Sequence, residues 1–195
     1  MGPALAVALL WLVFGGFRVR GDTVPTVFQQ HSVPDAIRSL SGLARPDYVD
    51  LFTVGTSETA GASPEEWARA AVEAAGLGGQ VVWRVLCGLR LAWRPSPDVV
   101  GGWKIADRGD SWIRLEAASW FMTAHLVLEV DDGSLSVATF IRYDRPMAAL
   151  VWPLLSAGHR MLMPGLLRST VRVMNGRSEA AELRGRRVSV GQRRH

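Results

Sequence analysis

The chain has 195 residues, of which 48% are hydrophobic and 21% charged, a composition typical of a globular domain. This length predicts one domain, and its core is large enough to fold without disulfides or metals. The net charge of +4 equals the charge of residues 175–195, which hold six Arg and two Glu and are predicted as a basic, disordered tail. The rest of the chain is neutral overall. We therefore expect no specific binding to nucleic acid, since such binding needs a basic face on the folded body.

Residues 1–30 predict an apolar segment followed by a linker. Residues 2–17 contain no charged side chain, and Arg18 and Arg20 follow directly. The run is shorter than the roughly twenty residues of a membrane span, and it lacks the basic start and the cleavage site of a secretory signal. Three interpretations stay open: a short membrane anchor, an upstream extension from a misassigned start site, or an apolar segment packed on the domain. We expect a cytoplasmic protein, held at the cytoplasmic face of the membrane if residues 2–17 are an anchor, because flanking arginines remain on that side.

The next part of the chain predicts a helix, a strand and two further helices. A short helix is predicted over residues 34–43, and the aromatic and β-branched residues of 48–54 predict a strand. Ser63 begins the next helix, because it can cap free backbone NH groups and is followed by a proline and a glutamate at the favoured positions. Gly76 predicts the end of this helix. Apolar residues at helical spacing predict a second helix over residues 80–92.

Four short segments that alternate apolar and polar residues follow, and each predicts a β-strand. They are residues 103–107, 112–118, a segment within 121–131, and residues 135–143. Turn sequences rich in Asp and Gly lie between strands at 108–110 and 131–133, so we expect antiparallel hairpins. A small antiparallel sheet followed by a long helix predicts a sheet that wraps the helix and leaves a cavity between them.

A long apolar segment completes the domain. Asp144 is the predicted N-cap and Pro146 lies in the first turn, after which apolar residues fill one broad face of a helix. Pro153 and Pro164 are each expected to kink or interrupt it. The segment 146–167 is long enough to cross a membrane, but a histidine, an arginine and two prolines within it favour a helix that packs on the sheet.

Short motifs within residues 31–174 resemble those of a known superfamily. They are Trp103-Lys-Ile105, Arg108-Gly-Asp110, the segments 120–126 and 139–143, Trp152-Pro153 and His159-Arg160. Together with the order of the elements, they resemble the SRPBCC superfamily of START- and polyketide-cyclase-like proteins, and within it a bacterial family of domains of unknown function. The resemblance implies an α+β helix-grip fold, in which an antiparallel sheet wraps a long C-terminal helix and two helices are inserted after the first strand. It also implies a cavity for an apolar or amphipathic ligand, without implying catalysis.

The sequence contains no motif for binding a nucleotide or a metal and none for an activated serine, so we predict no cofactor. The four histidines are far apart in sequence, which gives no spacing for a metal site. Cys87 lies in an apolar stretch without a neighbouring histidine or acid. We therefore expect a buried hydrophobic side chain there rather than a reactive thiol.

One group of polar residues on adjacent strands is a candidate catalytic site. If the apolar side chains of both strands face the core, Arg114, Glu116, His125 and Glu129 lie on the convex, solvated face as cross-strand charge pairs. A bulge that reverses the alternation would instead turn them into the cavity. Glu116 and His125 would then form a candidate general base.

His159 is the second candidate, because apolar residues flank it on the helix that would cover the cavity. It is predicted to be a core residue, a polar handle that orients a ligand, or a catalytic group. The other predicted ligand contacts are apolar, as is usual for small-molecule sites: Trp103, Ile105, Leu115, Leu126, Met161 and Leu162.

Binding of a small hydrophobic or amphipathic ligand is the first predicted function, driven by burial of apolar ligand surface. One alternative is a cofactor-independent enzyme of cyclase or isomerase type that works by acid–base chemistry. The other is an accessory module tethered to the membrane through residues 2–17. The sequence leaves the identity of the ligand and the oligomeric state open.

Overall fold

The computed structural model describes residues 25–30, 32–56, 61–131 and 133–192 of the chain. These residues form a seven-stranded antiparallel sheet with two long helices on one face and a short helix on the other. The elements are β1 (Val27–Gln30), α1 (Asp35–Leu40), β2 (Tyr48–Gly55), α2 (Pro64–Val81), β3 (Val99–Val100), β4 (Trp103–Arg108), β5 (Trp112–Ala118), β6 (Met122–Asp131), β7 (Ser134–Tyr143) and α3 (Pro146–Gln192). The strand order across the sheet is β1-β2-β7-β6-β5-β4-β3.

The α+β class, the antiparallel sheet and the long C-terminal helix are confirmed. Every predicted strand is present, 112–118 with the predicted ends and the others with ends that agree within one residue. The sequence predicts a linker as far as residue 30, but the last four residues of this segment form the edge strand β1. Val27 lies opposite Val54 of β2 and Gln30 opposite Leu51, so the sheet extends one strand beyond the prediction at this edge. The short strand β3 extends it by one more at the other edge. The apolar segment 2–17 lies outside the described residues.

The helix α2 begins as predicted. The Ser63 side chain accepts the Glu66 backbone NH, and the Glu66 carboxylate accepts the Ser63 NH at 2.7 Å, which completes a capping box. The first helical segment of α2 ends at Gly76, as predicted. This glycine interrupts the helical geometry with a φ of +56°, a value that glycine adopts without strain, and the helix then resumes to Val81.

The second predicted helix, over residues 80–92, is shorter than expected. One π-helical turn, Val82–Leu86, follows α2, and the chain then becomes extended. The Arg90 NH donates to a carbonyl at the end of β5 at 2.9 Å, and the Ala92 NH donates to a carbonyl beside β4 at 2.8 Å. Since the sheet supplies these hydrogen-bond partners, residues 87–92 do not need a helix to satisfy their backbone.

The helix α3 runs without interruption from Pro146 to Gln192. Pro153 and Pro164 lie inside it, so the predicted interruptions do not occur. Trp152 and Met163, each beside a proline, are buried against the core. We infer that this packing holds the helix together where each proline removes a backbone hydrogen bond.

The first turn of α3 is not capped by Asp144. The helix begins at Pro146, and the Asp144 carboxylate accepts hydrogen bonds from Thr123 at 2.6 Å and from Arg142 at 2.8 Å. These bonds tie the connection between β7 and α3 to β6. They therefore help to fix the direction in which α3 leaves the sheet.

The helix α3 also continues past position 174. The sequence predicts a disordered tail over residues 175–195, whereas the described part of this segment is helical as far as Gln192. Met174 is buried, and Arg177 pairs with Glu73 of α2, so α2 supplies a neighbour for the first turns of this extension. Among the described residues, no helix is both long and apolar enough to cross a membrane.

Both faces of the sheet are covered in the described structure. The face toward α2 and α3 carries the larger core. The other face packs against α1 and its flanking residues in a smaller core, formed by Val33, Ile37, Leu43, Leu51, Val127, Ala138 and Phe140. The convex face is therefore not solvated throughout, because a short helix covers its centre.

Candidate functional site

A cavity of about 130 Å³ lies between the sheet and the helices α2 and α3. Its sheet side is apolar and consists mainly of Leu115, Ala124, Leu126, Leu128, Val137 and Ile141. The helices close the other side with small and branched residues, among them Ala71, Val72, Val82, Leu155, Leu162 and Leu166. Among the residues that line the cavity, Thr139 contributes a hydroxyl group and His159 an imidazole. The other polar side-chain atoms in the lining belong to Cys87 and to three tryptophans.

The structure brings most of the predicted ligand contacts to this cavity. Trp103, Leu115, Leu126, His159 and Leu162 line it. Ile105 is buried in the core but does not border the cavity, which reaches β4 at Trp103.

Met161 was predicted to contact the ligand, but it does not line the cavity. It is 52% exposed on the outer side of α3, and Met163 lines the cavity instead. The helical period explains the difference, because positions 159, 162, 163 and 166 fall on one face of the helix and position 161 does not.

A cluster of four polar residues, here called the inner cluster, forms one corner of the cavity region: Tyr48, Asp50, Thr139 and His159. His159 Nε2 lies 3.2 Å from Asp50 Oδ2 and 3.2 Å from the Thr139 hydroxyl oxygen. The Tyr48 hydroxyl donates to the same Asp50 oxygen at 2.6 Å. Asp50 is only 4% exposed, and its Oδ1 has no hydrogen-bond partner among the described residues.

The surroundings of Asp50 favour its charged form. Burial raises the pKa of Asp50, but the hydrogen bond and charge of His159 and the hydrogen bond of Tyr48 outweigh it, so the pKa lies below its usual value. Burial and the adjacent carboxylate both raise the pKa of Tyr48. Tyr48 is therefore a hydroxyl donor at neutral pH, and Asp50 is an acceptor.

This arrangement orients the imidazole of His159. Because Asp50 accepts, Nε2 carries a proton, and in the tautomer with this single proton Nδ1 is an acceptor. Among the described residues, none forms a hydrogen bond with Nδ1. The ring also packs against Phe52 and Trp152, with centroids 6.3 and 6.0 Å away. An oriented histidine with one free nitrogen can accept a hydrogen bond or take a proton from a molecule in the cavity.

The sequence prediction missed Tyr48, Asp50 and Thr139. A signal for Asp50 exists in the alternation of β2, where Tyr48, Asp50, Phe52 and Val54 share the face toward the larger core. A carboxylate on an apolar strand face is unusual unless it is paired. Thr139 lies directly opposite Asp50 on β7. That neighbour depends on strand register, which the sequence does not reveal.

The second group of candidates, here called the outer cluster, consists of Arg114, Glu116 and His125. It lies on the face away from the cavity, as the simplest alternation predicts. The expectation of a solvated face is wrong for His125, which is 6% exposed. Its Nδ1 bonds to the carbonyl oxygen of Ser41, just after α1, and its Nε2 lies 3.5 Å from Glu116.

Arg114 completes the outer cluster. It donates to Glu116 at 3.1 Å and to the carbonyl oxygen of Leu40, the last residue of α1, at 2.9 Å. Burial lowers the pKa of His125, and its hydrogen bond to Ser41 and the charge of Glu116 do not reverse the shift. The outer cluster therefore holds the end of α1 on the sheet and has no access to the cavity, so Glu116 and His125 are not a base within it.

Glu129 lies on the outer face as predicted, opposite Trp112 of β5 and Ser136 of β7. Cys87 lines the cavity and is buried, as the sequence predicts. Burial raises the pKa of its thiol to about 12, so the thiolate is scarce at neutral pH. Within the described part of the chain, no three His, Cys, Asp or Glu side chains are grouped so that they could hold a metal ion.

Comparison with known proteins gives no match: no protein-family model, no curated protein and no solved structure is significantly similar to the chain.

Proposed function

We propose that the protein binds a small, mainly apolar molecule in the cavity between the sheet and the helices. The observation that carries the proposal is the combination of an apolar cavity and a single buried polar corner that holds His159. A site of this kind derives affinity from buried apolar surface and orientation from a few polar groups. The volume of about 130 Å³ is close to that of a cavity known to hold benzene, so it suits a ring or a short branched chain.

The inner cluster supports a ligand that carries a hydrogen-bond donor. Nδ1 of His159 accepts, and the charged carboxylate of Asp50 lies on the other side of the ring. A hydroxyl or amine group on the ligand would satisfy Nδ1. A ligand carboxylate would add a second negative charge near the buried Asp50, which a low-dielectric site disfavours.

The proposed fold family agrees with this site. An antiparallel sheet, a long C-terminal helix and two helical segments between β2 and β3 support the helix-grip fold and the SRPBCC superfamily proposed from the sequence motifs. In that interpretation β1 is an additional edge strand. The proposed location is the cytoplasm, and contact between residues 2–17 and a membrane remains a separate proposal.

A second function is supported by the contact between Asp50 and His159. A buried carboxylate that orients a histidine is a common arrangement for a general base. We propose as the alternative a cofactor-independent enzyme of the cyclase or isomerase type, in which His159 removes a proton from a carbon of the ligand. Asp50 would stabilise the imidazolium that forms.

The binding proposal is tested by native mass spectrometry of the full chain, followed by solvent extraction and identification of any released molecule. We expect a stoichiometric adduct on the wild-type protein. The matched control is Ala124→Phe, which fills the cavity from β6, and it should carry none. A wild-type protein without adduct that also fails to bind any member of a panel of small aromatic alcohols and amines contradicts the proposal.

The alternative is tested with the extracted molecule in D₂O. A base that removes a carbon-bound proton exchanges it with solvent, so deuterium should appear in the molecule when wild-type protein is present and not when His159→Gln replaces it. Binding without any exchange would leave the protein as a carrier.

A further inference from the structure

One part of the surface carries apolar side chains that the fold leaves exposed. Leu77, Val81 and Val85 follow one another at four-residue spacing on α2 and the π turn, and they are 86%, 40% and 71% exposed. Trp93 is 85% exposed and its ring lies under the Arg84 guanidinium, 4.1 Å from the ring centroid. We call Leu77, Val81, Val85 and Trp93 the apolar ridge.

The ridge belongs to the wall of the cavity. Gly79, Val82 and Trp83 lie between the ridge residues in sequence, and they line the cavity from the inside. The segment therefore has apolar side chains on both sides, which a helical segment of a protein surrounded by water does not need.

The charged residues in the ridge's own stretch of sequence are all of one sign. Residues 74–97 contain Arg84, Arg90 and Arg94 and no Asp, Glu, Lys or His. Arg90 and Arg94 are exposed. The two acids that flank this stretch are each paired with an arginine, Glu73 with Arg177 and Asp98 with Arg108. The ridge is therefore an apolar surface bordered by positive charge.

We propose that the apolar ridge docks the protein on an anionic lipid bilayer. The exposed Trp and aliphatic side chains would enter the interface between headgroups and acyl chains, and the arginines would contact the headgroup phosphates. A second copy of the chain fits less well, because a two-fold interface would bring the arginines of both copies together. A ligand dissolved in the lipid would then have a short path to the cavity. That path depends on the proposed function, whereas the docking does not.

The test uses the full chain and an environment-sensitive dye at one position of the ridge. Val85→Cys, in a Cys87→Ala background, is labelled and mixed with vesicles of phosphatidylcholine, with or without about one third phosphatidylglycerol. We expect a blue shift and an increase in emission with the anionic vesicles only. Phe28→Cys is the matched control, because Phe28 is 62% exposed but lies on β1, at the other edge of the sheet from β3 and β4.

A charge variant gives a second measurement. Arg90→Gln with Arg94→Gln should weaken partition into anionic vesicles by about fivefold per arginine at low salt. Arg38→Gln with Arg45→Gln removes two exposed arginines elsewhere and should leave partition nearly unchanged. The proposal is overturned if the dye at position 85 does not respond to anionic vesicles, and vesicle binding without that response would assign the contact to another part of the chain, such as residues 2–17 or 175–195. It is also overturned if both charge variants bind alike.

Discussion

The inner and the outer cluster contain similar side chains and differ in what surrounds them. Each joins a histidine to a carboxylate across neighbouring elements, and each is largely buried. In the outer cluster, Nδ1 of His125 bonds to a backbone carbonyl that follows α1. In the inner cluster, one nitrogen of His159 faces Asp50, and the other has no hydrogen-bond partner among the described residues.

The difference shows that the two clusters do different work. The outer cluster places its polar groups on the backbone of Leu40 and Ser41, so it holds a helix in place. The inner cluster borders a cavity and leaves Nδ1 of His159 without a hydrogen-bond partner among the described residues. A histidine beside an acid is therefore not by itself a sign of function. A candidate site is indicated instead by a histidine nitrogen that lacks a hydrogen-bond partner and by a cavity next to it.

The largest effect that we expect is loss of stability on removing the inner carboxylate. Asp50→Ala leaves the Tyr48 hydroxyl and the His159 Nε2–H without their acceptor, and it should lower the free energy of unfolding by about 3 kcal/mol. Urea denaturation measures it. Asp110→Ala, on an exposed turn, is the control and should change stability by less than about 0.5 kcal/mol. Equal effects of the two variants would show that Asp50 does not organise the corner.

A substitution in the outer cluster should change the stability of the protein but not its affinity for a ligand. Arg114→Ala removes hydrogen bonds to Glu116 and to the Leu40 carbonyl, and we expect a loss of about 2 kcal/mol. Ligand affinity, measured on the folded variant, should stay within about twofold of wild type because the cluster lies across the sheet from the cavity. A large loss of affinity with unchanged stability would show that the two clusters are not separate.

Two matched alanines distinguish the faces of the sheet. Ala124 borders the cavity, whereas Ala138 lies in the smaller core on the other face. Ala138→Leu should cost about 1 to 3 kcal/mol through overpacking, and Ala124→Leu should cost less because the added carbons enter free space. Ligand binding should be lost in the second variant and kept in the first. Thermal denaturation and titration of both variants check this, and equal destabilisation would argue that the cavity is closed in solution.

The two clusters should also lose their contributions to stability at different pH values. The pKa of His125 is lowered on folding, so below about pH 6.5 the unfolded chain binds the extra proton first and stability falls with pH. The pKa of Asp50 is also lowered, and its contribution is lost only below about pH 3.9. His125→Gln should therefore reduce the loss of stability that begins below about pH 6.5, and it should not change the loss that begins below about pH 3.9. A decline below pH 6.5 that is unchanged in His125→Gln would contradict this assignment.

The sequence predicted the elements better than their relationships. Ser63 and its capping box, the four strands of the hairpins and the long helix follow from local patterns. Asp50 and Thr139 meet because of the register between β2 and β7, and Ser41 meets His125 because α1 folds over the sheet. These contacts join residues far apart in the chain, so no local pattern reports them. The helix over 80–92 is shorter than predicted for the same reason, since its last residues bond to the sheet.

The central claim is that His159 faces a ligand and His125 does not. The most direct test is to titrate wild type, His159→Leu and His125→Gln with benzene and with phenol. The NMR signals of the cavity methyl groups monitor the binding. The account predicts that His159→Leu weakens phenol by roughly tenfold relative to benzene, because the phenol hydroxyl loses its acceptor, while His125→Gln changes neither affinity. If His159→Leu leaves the ratio of the two affinities unchanged, His159 does not face the ligand and the account is wrong.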